Sequence, residues 1–204
     1  MSKVCILDYG SGNVKSVSNL FSALARETIV SNDPADVAAA SHIVLPGVGA
    51  FAAAMRRIHE RLPMAAVKQA VFTYKKPFLG ICVGMQVLAT RGLEFGEHQG
   101  LGWIPGQVRK IEAGVLPVPH IGWNNTNPCQ SSPLLAGLEK DPDFYFVHSY
   151  IFEPEDDAVR LTTTDYGEEF CSAIKQDNIY GVQFHPEKSQ RAGMRLVKNF
   201  LALP

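Results

Sequence analysis

Short apolar runs recur along the first hundred residues of the chain. Continuous runs occupy residues 4–7, 42–46 and 77–81, and residues 28–30 form a further short strand candidate. A continuous apolar run of this length is typical of a strand that is buried on both faces, as in a parallel sheet. The pattern therefore predicts several parallel strands in the N-terminal half of the chain.

Segments of helical periodicity separate these runs. Apolar residues recur at steps of three and four between Val14 and Leu24, which is the stripe of an amphipathic helix. Asp33 followed by Pro34 predicts the start of a second helix, because proline is favoured at the first helical position. Three further helices are predicted at residues 51–59, 64–74 and 84–90. The alternation of strands and helices indicates a parallel sheet with helices on both faces.

From about residue 100 the pattern changes to strands separated by Gly, Pro, Asn and Asp. The stretch AIKQDNIYGVQF predicts a hairpin with Asp177 and Asn178 in its turn. The last segment predicts a helix with three apolar residues on one face, Met194, Val197 and Leu201. We therefore predict one α/β domain over residues 1–204, with a mainly parallel central sheet and antiparallel strands added at an edge.

The composition excludes several functions. Nineteen Lys and Arg against 20 Asp and Glu give a formal charge of −1, so no overall field favours nucleic acid or an anionic membrane. No segment approaches the roughly 18 to 20 apolar residues of a membrane span, and the first residues lack the pattern of a secretory signal. We expect a cytoplasmic protein that binds neither nucleic acid nor membrane.

The four cysteines lie far apart and form no C-x-x-C pair; they are Cys5, Cys82, Cys129 and Cys171. This spacing indicates neither a disulfide framework nor a zinc site, and we expect no metal and no cofactor. Most buried free cysteines serve as small apolar side chains. Only Cys82 has neighbours that favour chemistry.

Cys82 lies between Gly80 and Gly84 in GICVG, after a predicted strand and before a predicted helix. In open α/β sheets, sites form at the carboxyl ends of the strands, so this position suits a catalytic residue. A nucleophile on a tight strand-to-helix turn needs small flanking residues, as in the G-x-S-x-G elbow, and GICVG repeats that spacing with a thiol. The start of a helix favours a thiolate. Without a base, a packed thiol is an equally good interpretation.

Two backbone segments are candidates for binding an oxyanion. The turn after Cys82 offers the Val83 N–H, and the PGVG loop after another strand offers a second donor. Gly47 and Gly49 would let the backbone around Val48 approach a ligand closely. We therefore expect the loop at residues 47–49 to complete an oxyanion hole with Val83.

Two histidines compete as the base, His148 in FVHSY and His185 in VQFHPE. Both follow strand-like runs, so position alone does not separate them. Glu187 lies two residues after His185, and such residues point to the same side of an extended segment. Glu187 would then orient the imidazole, which predicts a triad of Cys82, His185 and Glu187. Such a triad predicts hydrolysis of an amide or ester through a thioester.

Five motifs, in order along nearly the whole chain, resemble those of the class I (triad) glutamine amidotransferases. They are DYGSGN, PGVGAF, GICVGMQ, FVHSY and GVQFHPEKS. Together with PHIGWN, they are similar to one branch of this family, the glutaminase subunits of imidazole glycerol phosphate synthases in histidine biosynthesis. The resemblance implies a flavodoxin-like fold and a glutaminase. In it Cys82 attacks the glutamine carboxamide, His185 protonates the departing ammonia, and water releases glutamate.

The resemblance also implies which residues bind glutamine. Gln86 and Glu94 would hold the amino acid head of the substrate. Glu97 is the alternative to Glu94, because both lie in RGLEFGEH. Three more residues would line the same pocket through backbone and side-chain contacts: His148, Ser149 and Tyr150. His148 then becomes a pocket residue instead of the base.

Members of this branch pass ammonia to a (β/α)8-barrel cyclase. The resemblance implies that the cyclase is a separate chain in a heterodimer with this one, and that Asn13, Trp123 and Lys188 face it. A core position for Trp123 and a plain surface charge for Lys188 are the alternatives. We expect weak glutaminase activity alone and strong activation by the partner, with a peptide flip in PGVG as the switch.

Other functions stay open at this point. The chain could be the glutaminase of a different synthase or another cysteine hydrolase of similar architecture. It could also be a regulatory or binding protein that kept the fold, which requires an inert Cys82. Loss of glutamine-dependent turnover on Cys82→Ala, the identity of a stable partner, and the reaction of Cys82 with a glutamine-like electrophile separate these possibilities.

Overall fold

The computed structural model of the chain describes residues 3–140 and 142–204. Its strands are β1 (Lys3–Ile6), β2 (Glu27–Val30), β3 (His42–Gly47), β4 (Phe78–Cys82), β5 (Arg91–Gly92), β6 (His98–Gln99), β7 (Gly106–Lys110), β8 (His120–Asn125), β9 (Asn127–Pro128), β10 (Asp143–His148), β11 (Tyr150–Pro154), β12 (Arg160–Asp165), β13 (Glu169–Gln176) and β14 (Ile179–Val182). Its α-helices are α1 (Val14–Ser22), α2 (Pro34–Ala39), α3 (Phe51–Arg61), α4 (Met64–Lys68), α5 (Val83–Gln86) and α6 (Gln190–Leu201). A π-helical turn, Gln69–Thr73, continues α4.

The central sheet has eight strands in the order β2-β1-β3-β4-β14-β13-β12-β9. The first five are parallel, and β13, β12 and β9 extend this parallel core with antiparallel pairs. The predicted fold class is therefore confirmed: a mainly parallel sheet with antiparallel strands at one edge. Gly47 is paired with Cys82 at the carboxyl ends of β3 and β4. This register brings the PGVG loop next to the cysteine.

Two smaller sheets stand beside the central one. β10 and β8 form an antiparallel ribbon, and β11, β7, β5 and β6 form a four-stranded sheet. In the ribbon, His120 is paired with His148 and Trp123 with Tyr145. The strands β5, β6 and β9 were not predicted, since each has two residues and is too short to show a period.

Local sequence signals place most elements where the sequence predicts them. The stripe of α1 is confirmed, because Val14, Val17 and Phe21 are buried. The Asp33 carboxylate accepts the Ala35 N–H at 2.8 Å and caps α2. The hairpin of β13 and β14 is also confirmed, since the two strands pair antiparallel on either side of Asp177 and Asn178. None of the helices in the described ranges is long and apolar enough to span a membrane.

The helix after Cys82 is shorter than predicted. The pattern predicts a helix over residues 84–90, whereas α5 comprises only Val83–Gln86. The chain then turns toward β7, and the Thr90 N–H donates to the Gly106 carbonyl at 3.0 Å. A pairing distant in sequence therefore ends the helix, which a local apolar pattern does not reveal.

The buried face of α6 also differs from the prediction. Met194 is exposed, and the buried residues are Gly193, Leu196, Val197 and Phe200. Gly193 packs directly against the backbone of Pro186, where any Cβ atom would overlap the carbonyl group. This close approach rotates the helix so that Gly193, which a search for apolar side chains ignores, lies at the centre of the contact.

Candidate active site

Cys82 is the last residue of β4 and the residue before α5, and its side chain is buried. Its backbone has φ 55° and ψ −112°, a conformation that a residue with a side chain rarely adopts. A Cβ atom at Gly80 would overlap the Gly84 carbonyl, and one at Gly84 would overlap the Leu45 carbonyl. Close packing of strand and helix thus explains both glycines of GICVG, and the strained turn has the form of a nucleophile elbow.

His185 and Glu187 form the predicted base and orienting pair. His185 Nδ1 lies 2.9 Å from Glu187 Oε1, and the side chains are 3% and 0% exposed. The contact does not arise from strand alternation, as the sequence suggested. Residues Pro186–Lys188 form a 3-10 turn after His185, and this turn brings the carboxylate back to the ring. A hydrogen bond from the His185 N–H to the Tyr145 carbonyl, at 2.9 Å, holds the backbone in place.

The surroundings of His185 favour its charged form. Burial lowers the pKa of the imidazole, but hydrogen bonds with Cys82 and Glu187 and the charges of these two groups outweigh it and raise the pKa to about 10. Because Nδ1 is bonded to Glu187, Nε2 is the nitrogen available to Cys82. The site can therefore hold a proton on His185 at neutral pH and release it to a leaving group near the sulfur.

Gln183 is a site residue that the sequence reasoning missed. Its Nε2 donates to Cys82 Sγ at 3.5 Å, and its Oε1 accepts from Gln86 Nε2 at 2.9 Å. The same Gln86 nitrogen donates to the Tyr150 carbonyl at 2.9 Å. Gln183 is fully buried at the end of an apolar strand. A polar side chain in that position was the signal that could have identified it.

A cavity of about 580 Å³ opens next to Cys82 and His185. The residues predicted to bind substrate line it together with Val48 of the PGVG loop: Gly49, Val83, Gln86, Glu94, His148, Ser149 and Tyr150. Glu94 accepts the Phe51 N–H at 2.7 Å, which holds its carboxylate at the start of α3. Glu97 instead lies at a different cavity, where it pairs with Arg91 at 3.3 Å. Of the two candidates, only Glu94 is thus placed at the cavity of the cysteine.

The PGVG loop is held away from the predicted oxyanion position. The Val48 N–H donates to the Ser11 hydroxyl at 3.0 Å, so it is committed to the neighbouring loop. Gly49 has a φ of 98°, which glycine adopts without strain. Gly47 has no room for a side chain between the Tyr9 hydroxyl and the backbone N–H of Gly84. The loop must therefore rearrange before Val48 can donate to an oxyanion in the cavity.

The three predicted interface residues lie in different environments. Trp123 is 47% exposed and is therefore not a core aromatic. The Lys188 ammonium lies 5.5 Å from the centre of the Tyr145 ring, and that ring packs against Trp123 at 5.9 Å. Asn13 is only 7% exposed, and its Nδ2 donates to Glu187 Oε1 at 3.3 Å. This inward position does not suit the interface role predicted for Asn13.

The family of the chain follows from its sequence. Residues 5–203 match the family described as glutamine amidotransferase class-I. The chain belongs to this family, whose chemistry agrees with a cysteine elbow, a histidine and a carboxylate beside one cavity. The protein is therefore an enzyme, a class I glutamine amidotransferase.

Relatives of similar length narrow the assignment. The chain is 48% identical over 205 residues to the imidazole glycerol phosphate synthase subunit HisH of Salinibacter ruber, with coverage of 98% of this chain and 94% of that protein. It is 47% identical over 199 residues to the protein of the same name from Aquifex aeolicus, covering 97% and 95% of the two chains. The corresponding protein of Rhodospirillum rubrum is 46% identical over 209 residues, with 98% of each chain covered.

Solved structures share the fold at lower identity. A putative GMP synthase glutamine-family homologue from Thermoplasma acidophilum superimposes with a TM-score of 0.73 at 22% identity, covering 98% of this chain and 92% of that one. The structure of PurLQS from Thermotoga maritima gives a TM-score of 0.74 at 18% identity, covering 98% of both chains. These similarities establish a common architecture for the chain and its family.

Proposed function

We propose that the protein is the glutaminase subunit of an imidazole glycerol phosphate synthase. It hydrolyses L-glutamine to L-glutamate and ammonia and supplies the ammonia to a cyclase subunit in histidine biosynthesis. The observation that carries this proposal is the buried arrangement of Cys82, His185 and Glu187 at one cavity. Identities of 46% to 48% with subunits of that name over nearly the full chain support the choice of synthase.

The first half of the reaction uses the sulfur and the proton of the pair. The Cys82 thiolate attacks the carboxamide carbon of glutamine, and the carbonyl oxygen becomes an oxyanion. The Val83 N–H is the first donor to this oxygen, and the Val48 N–H becomes the second once it leaves Ser11. His185 then gives its proton to the nitrogen as the C–N bond breaks, which releases ammonia and leaves a thioester on Cys82.

The second half returns the enzyme to its starting state. Neutral His185 takes a proton from a water molecule, and the resulting hydroxide attacks the thioester carbon. The C–S bond breaks, glutamate leaves, and Cys82 again pairs with a protonated His185. Glu187 stabilises the imidazolium in both halves, because its carboxylate lies against Nδ1.

Substrate binding is assigned to the far end of the cavity. The Glu94 carboxylate is fixed by the Phe51 N–H and offers a negative group to the ammonium of glutamine. Ser149 and Tyr150 line the opposite wall, and Gln86 supports Tyr150 through its carbonyl group. We assign these residues to the amino acid head, which leaves the carboxamide next to Cys82.

The partner is a separate (β/α)8-barrel cyclase that forms a heterodimer with this chain. A joint interface has a chemical purpose, since ammonia released into water at neutral pH becomes ammonium and is no longer nucleophilic. Trp123 and Lys188 are exposed on the side of the molecule that carries β8 and β10, and we assign them to this interface. Binding of the cyclase shifts the PGVG loop toward the form in which Val48 faces the oxyanion.

The Cys82→Ala variant in complex with the cyclase tests the proposal. Glutamine-dependent formation of imidazole glycerol phosphate should be abolished, while synthesis from added ammonia should continue, because the cyclase is untouched. Cys129→Ala is the matched control, since Cys129 is exposed and outside the cavity. Glutamine-driven turnover by Cys82→Ala contradicts the assignment of the nucleophile. A stable partner of another kind, recovered in place of the cyclase, contradicts the assignment of the synthase.

A further inference from the structure

Two buried histidines lie side by side without a role in the proton transfers described above. His120 and His148 are 2% and 6% exposed and are opposite each other in the β8–β10 ribbon. His120 Nδ1 lies 3.0 Å from His148 Nε2. His148 also lines the cavity of Cys82, so this pair connects the ribbon to the active site.

The direction of every hydrogen bond in this pair follows from one backbone carbonyl. The Tyr150 carbonyl can only accept, so His148 Nδ1, at 3.1 Å, must carry the hydrogen. His148 Nε2 is then an acceptor, which makes His120 Nδ1 the donor. His120 Nε2 accepts in turn from Asn124 Nδ2 at 3.3 Å. Both rings are therefore neutral, and both carry their hydrogen on Nδ1.

The environment of the two rings agrees with their neutral form. Burial lowers the pKa of His120 to about 4. Burial also lowers the pKa of His148 to about 3, and the nearby His120 and His185 act in the same direction. A neutral His148 places no second positive charge in the cavity next to the His185 imidazolium.

The same carbonyl joins the histidines to the nucleophile. Tyr150 O accepts from both His148 Nδ1 and Gln86 Nε2. Gln86 Nε2 also donates to Gln183 Oε1, and Gln183 Nε2 donates to Cys82 Sγ. An unbroken series of directed hydrogen bonds therefore runs from Asn124 on β8 to the sulfur of Cys82.

We propose that His120, supported by Asn124, is a positioning residue of the glutaminase site that acts through His148, the Tyr150 carbonyl and the Gln86–Gln183 pair. Its N–H fixes the tautomer and the ring plane of His148, which in turn fixes the carbonyl that orients Gln86. This inference rests on the proposed glutaminase function. His120 touches neither the substrate nor the sulfur, so its effect is indirect.

The position of His120 on β8 adds a consequence for the partner. Ile121 and Trp123 are exposed on one face of this strand, whereas His120 and Asn124 belong to the other face. A displacement of β8 by a bound cyclase would move His120 relative to His148. The hydrogen-bonded series thus links the surface assigned to the cyclase with the nucleophile.

Nitrogen NMR of the 15N-histidine-labelled complex with the cyclase tests the series without relying on catalysis. We expect His120 and His148 to be neutral at pH 7, each with its hydrogen on Nδ1. In His120→Phe, which keeps an aromatic ring against Tyr166 and Phe146, His148 Nε2 should move to the shift of an unbonded acceptor. A charged His148, or a hydrogen on its Nε2 in the unchanged protein, overturns the proposal.

Kinetics of the complex provide the second part of the test. His120→Phe should lower kcat/KM for glutamine roughly tenfold, as expected for one buried hydrogen bond, without changing synthesis from added ammonia. His120→Gln, which keeps an N–H donor, should retain more activity, and His59→Phe on the exposed face of α3 should match the unchanged protein. Asn124→Ala, at a half-buried position, should give a smaller loss and serves if His120→Phe does not fold.

The two parts separate failure of this inference from failure of the proposed function. Equal kcat/KM values for His120→Phe, Asn124→Ala and the unchanged protein overturn the positioning role, even if the tautomers are as expected. Absence of glutamine hydrolysis in the unchanged complex instead contradicts the proposed function, and the tautomers then still report whether the hydrogen-bonded series exists.

Discussion

The Val48 N–H donates to the Ser11 hydroxyl, 3.0 Å away, and so links the PGVG loop to the loop before α1. The Ser11 hydroxyl donates in turn to Asn13 Oδ1 at 2.8 Å, and Asn13 Nδ2 donates to Glu187 Oε1 at 3.3 Å. Two side chains thus connect the loop assigned to the oxyanion hole with the carboxylate assigned to the triad. The contact between Val48 and Ser11 also holds the loop in a form that is not ready for catalysis.

Ser11→Ala should therefore increase glutamine hydrolysis by the chain in the absence of its partner. Removing one hydrogen bond of about 0.5 to 1.5 kcal/mol should shift the loop toward the reactive form and raise the basal rate roughly two- to tenfold. Glutamate release measured without the cyclase reports the effect. Ser16→Ala is the control, because Ser16 bonds to the Asn13 carbonyl and has no bond to Val48. A basal rate that is unchanged or lower in Ser11→Ala would show that the contact does not restrain the loop.

Glu187→Gln should move the alkaline limit of glutamine hydrolysis to lower pH. The carboxylate of Glu187 is one of the groups that raise the pKa of His185 to about 10. Without its charge the pKa falls, so His185 loses its proton at a lower pH and kcat should drop about 100-fold at neutral pH. The pH profile of kcat/KM in the cyclase complex measures the shift. Glu97→Gln, at the other cavity, should leave the profile unchanged; an unmoved profile in Glu187→Gln contradicts the orienting role.

Gly84→Ala should destabilise the protein and abolish glutaminase activity. The added methyl group would overlap the Leu45 carbonyl, and a strand backbone in the core cannot move aside. We expect a loss of about 3 kcal/mol in the free energy of unfolding, measured by urea denaturation. Gly114→Ala, with φ of 59° and open space around it, should cost only about 1 kcal/mol and keep activity. Equal losses in the two variants would show that GICVG is not under steric constraint.

Trp123→Ala should weaken binding of the cyclase. An exposed tryptophan beside a lysine and a tyrosine has the character of an interface anchor, and its loss should raise Kd roughly 30-fold. Calorimetric titration of the cyclase measures the change. Tyr74→Ala is the matched control, since Tyr74 is also exposed and lies next to a lysine, Lys76, on another part of the surface. An unchanged Kd in Trp123→Ala would remove the ribbon from the interface.

Local patterns in the sequence were sufficient for most of the fold. Buried parallel strands are continuous apolar runs, and the capped helix at Asp33 has a distinct start signal, so both were predicted correctly. The length of α5 was not, because Thr90 pairs with Gly106 in a strand far along the chain. The face of α6 was not, because the determining residue is a glycine that packs against backbone.

The candidate site shows the same division. Cys82, His185 and Glu187 could be selected from their spacing, since short motifs hold each of them in a turn with a defined geometry. Gln183 and His120 could not, because their partners lie 101 and 28 residues away in the sequence. Asn13 was assigned by resemblance to an interface, whereas its bond to Glu187 depends on the packing of α1 against the turn after His185.

The two buried neutral histidines should make the fold less stable in acid. In the unfolded chain His120 and His148 bind protons below about pH 6.5, whereas in the folded protein burial lowers their pKa values to about 4 and 3. Between these limits the unfolded state binds more protons, so the free energy of unfolding should decrease as the pH falls from about 6.5 toward 4.

His120→Phe removes one of the two sites and should therefore show a shallower decrease. Urea denaturation at intervals between pH 4 and 7.5 measures the slope for both proteins. Glu153 and Glu168, whose pKa values are lowered by their bonds to Gln107 and Arg109, contribute to the slope equally in both and cancel in the comparison. His59→Phe should keep the original slope, because His59 is exposed. Identical slopes for His120→Phe and the unchanged protein would mean that His120 is already protonated in the fold, which is incompatible with its donation to His148 and acceptance from Asn124.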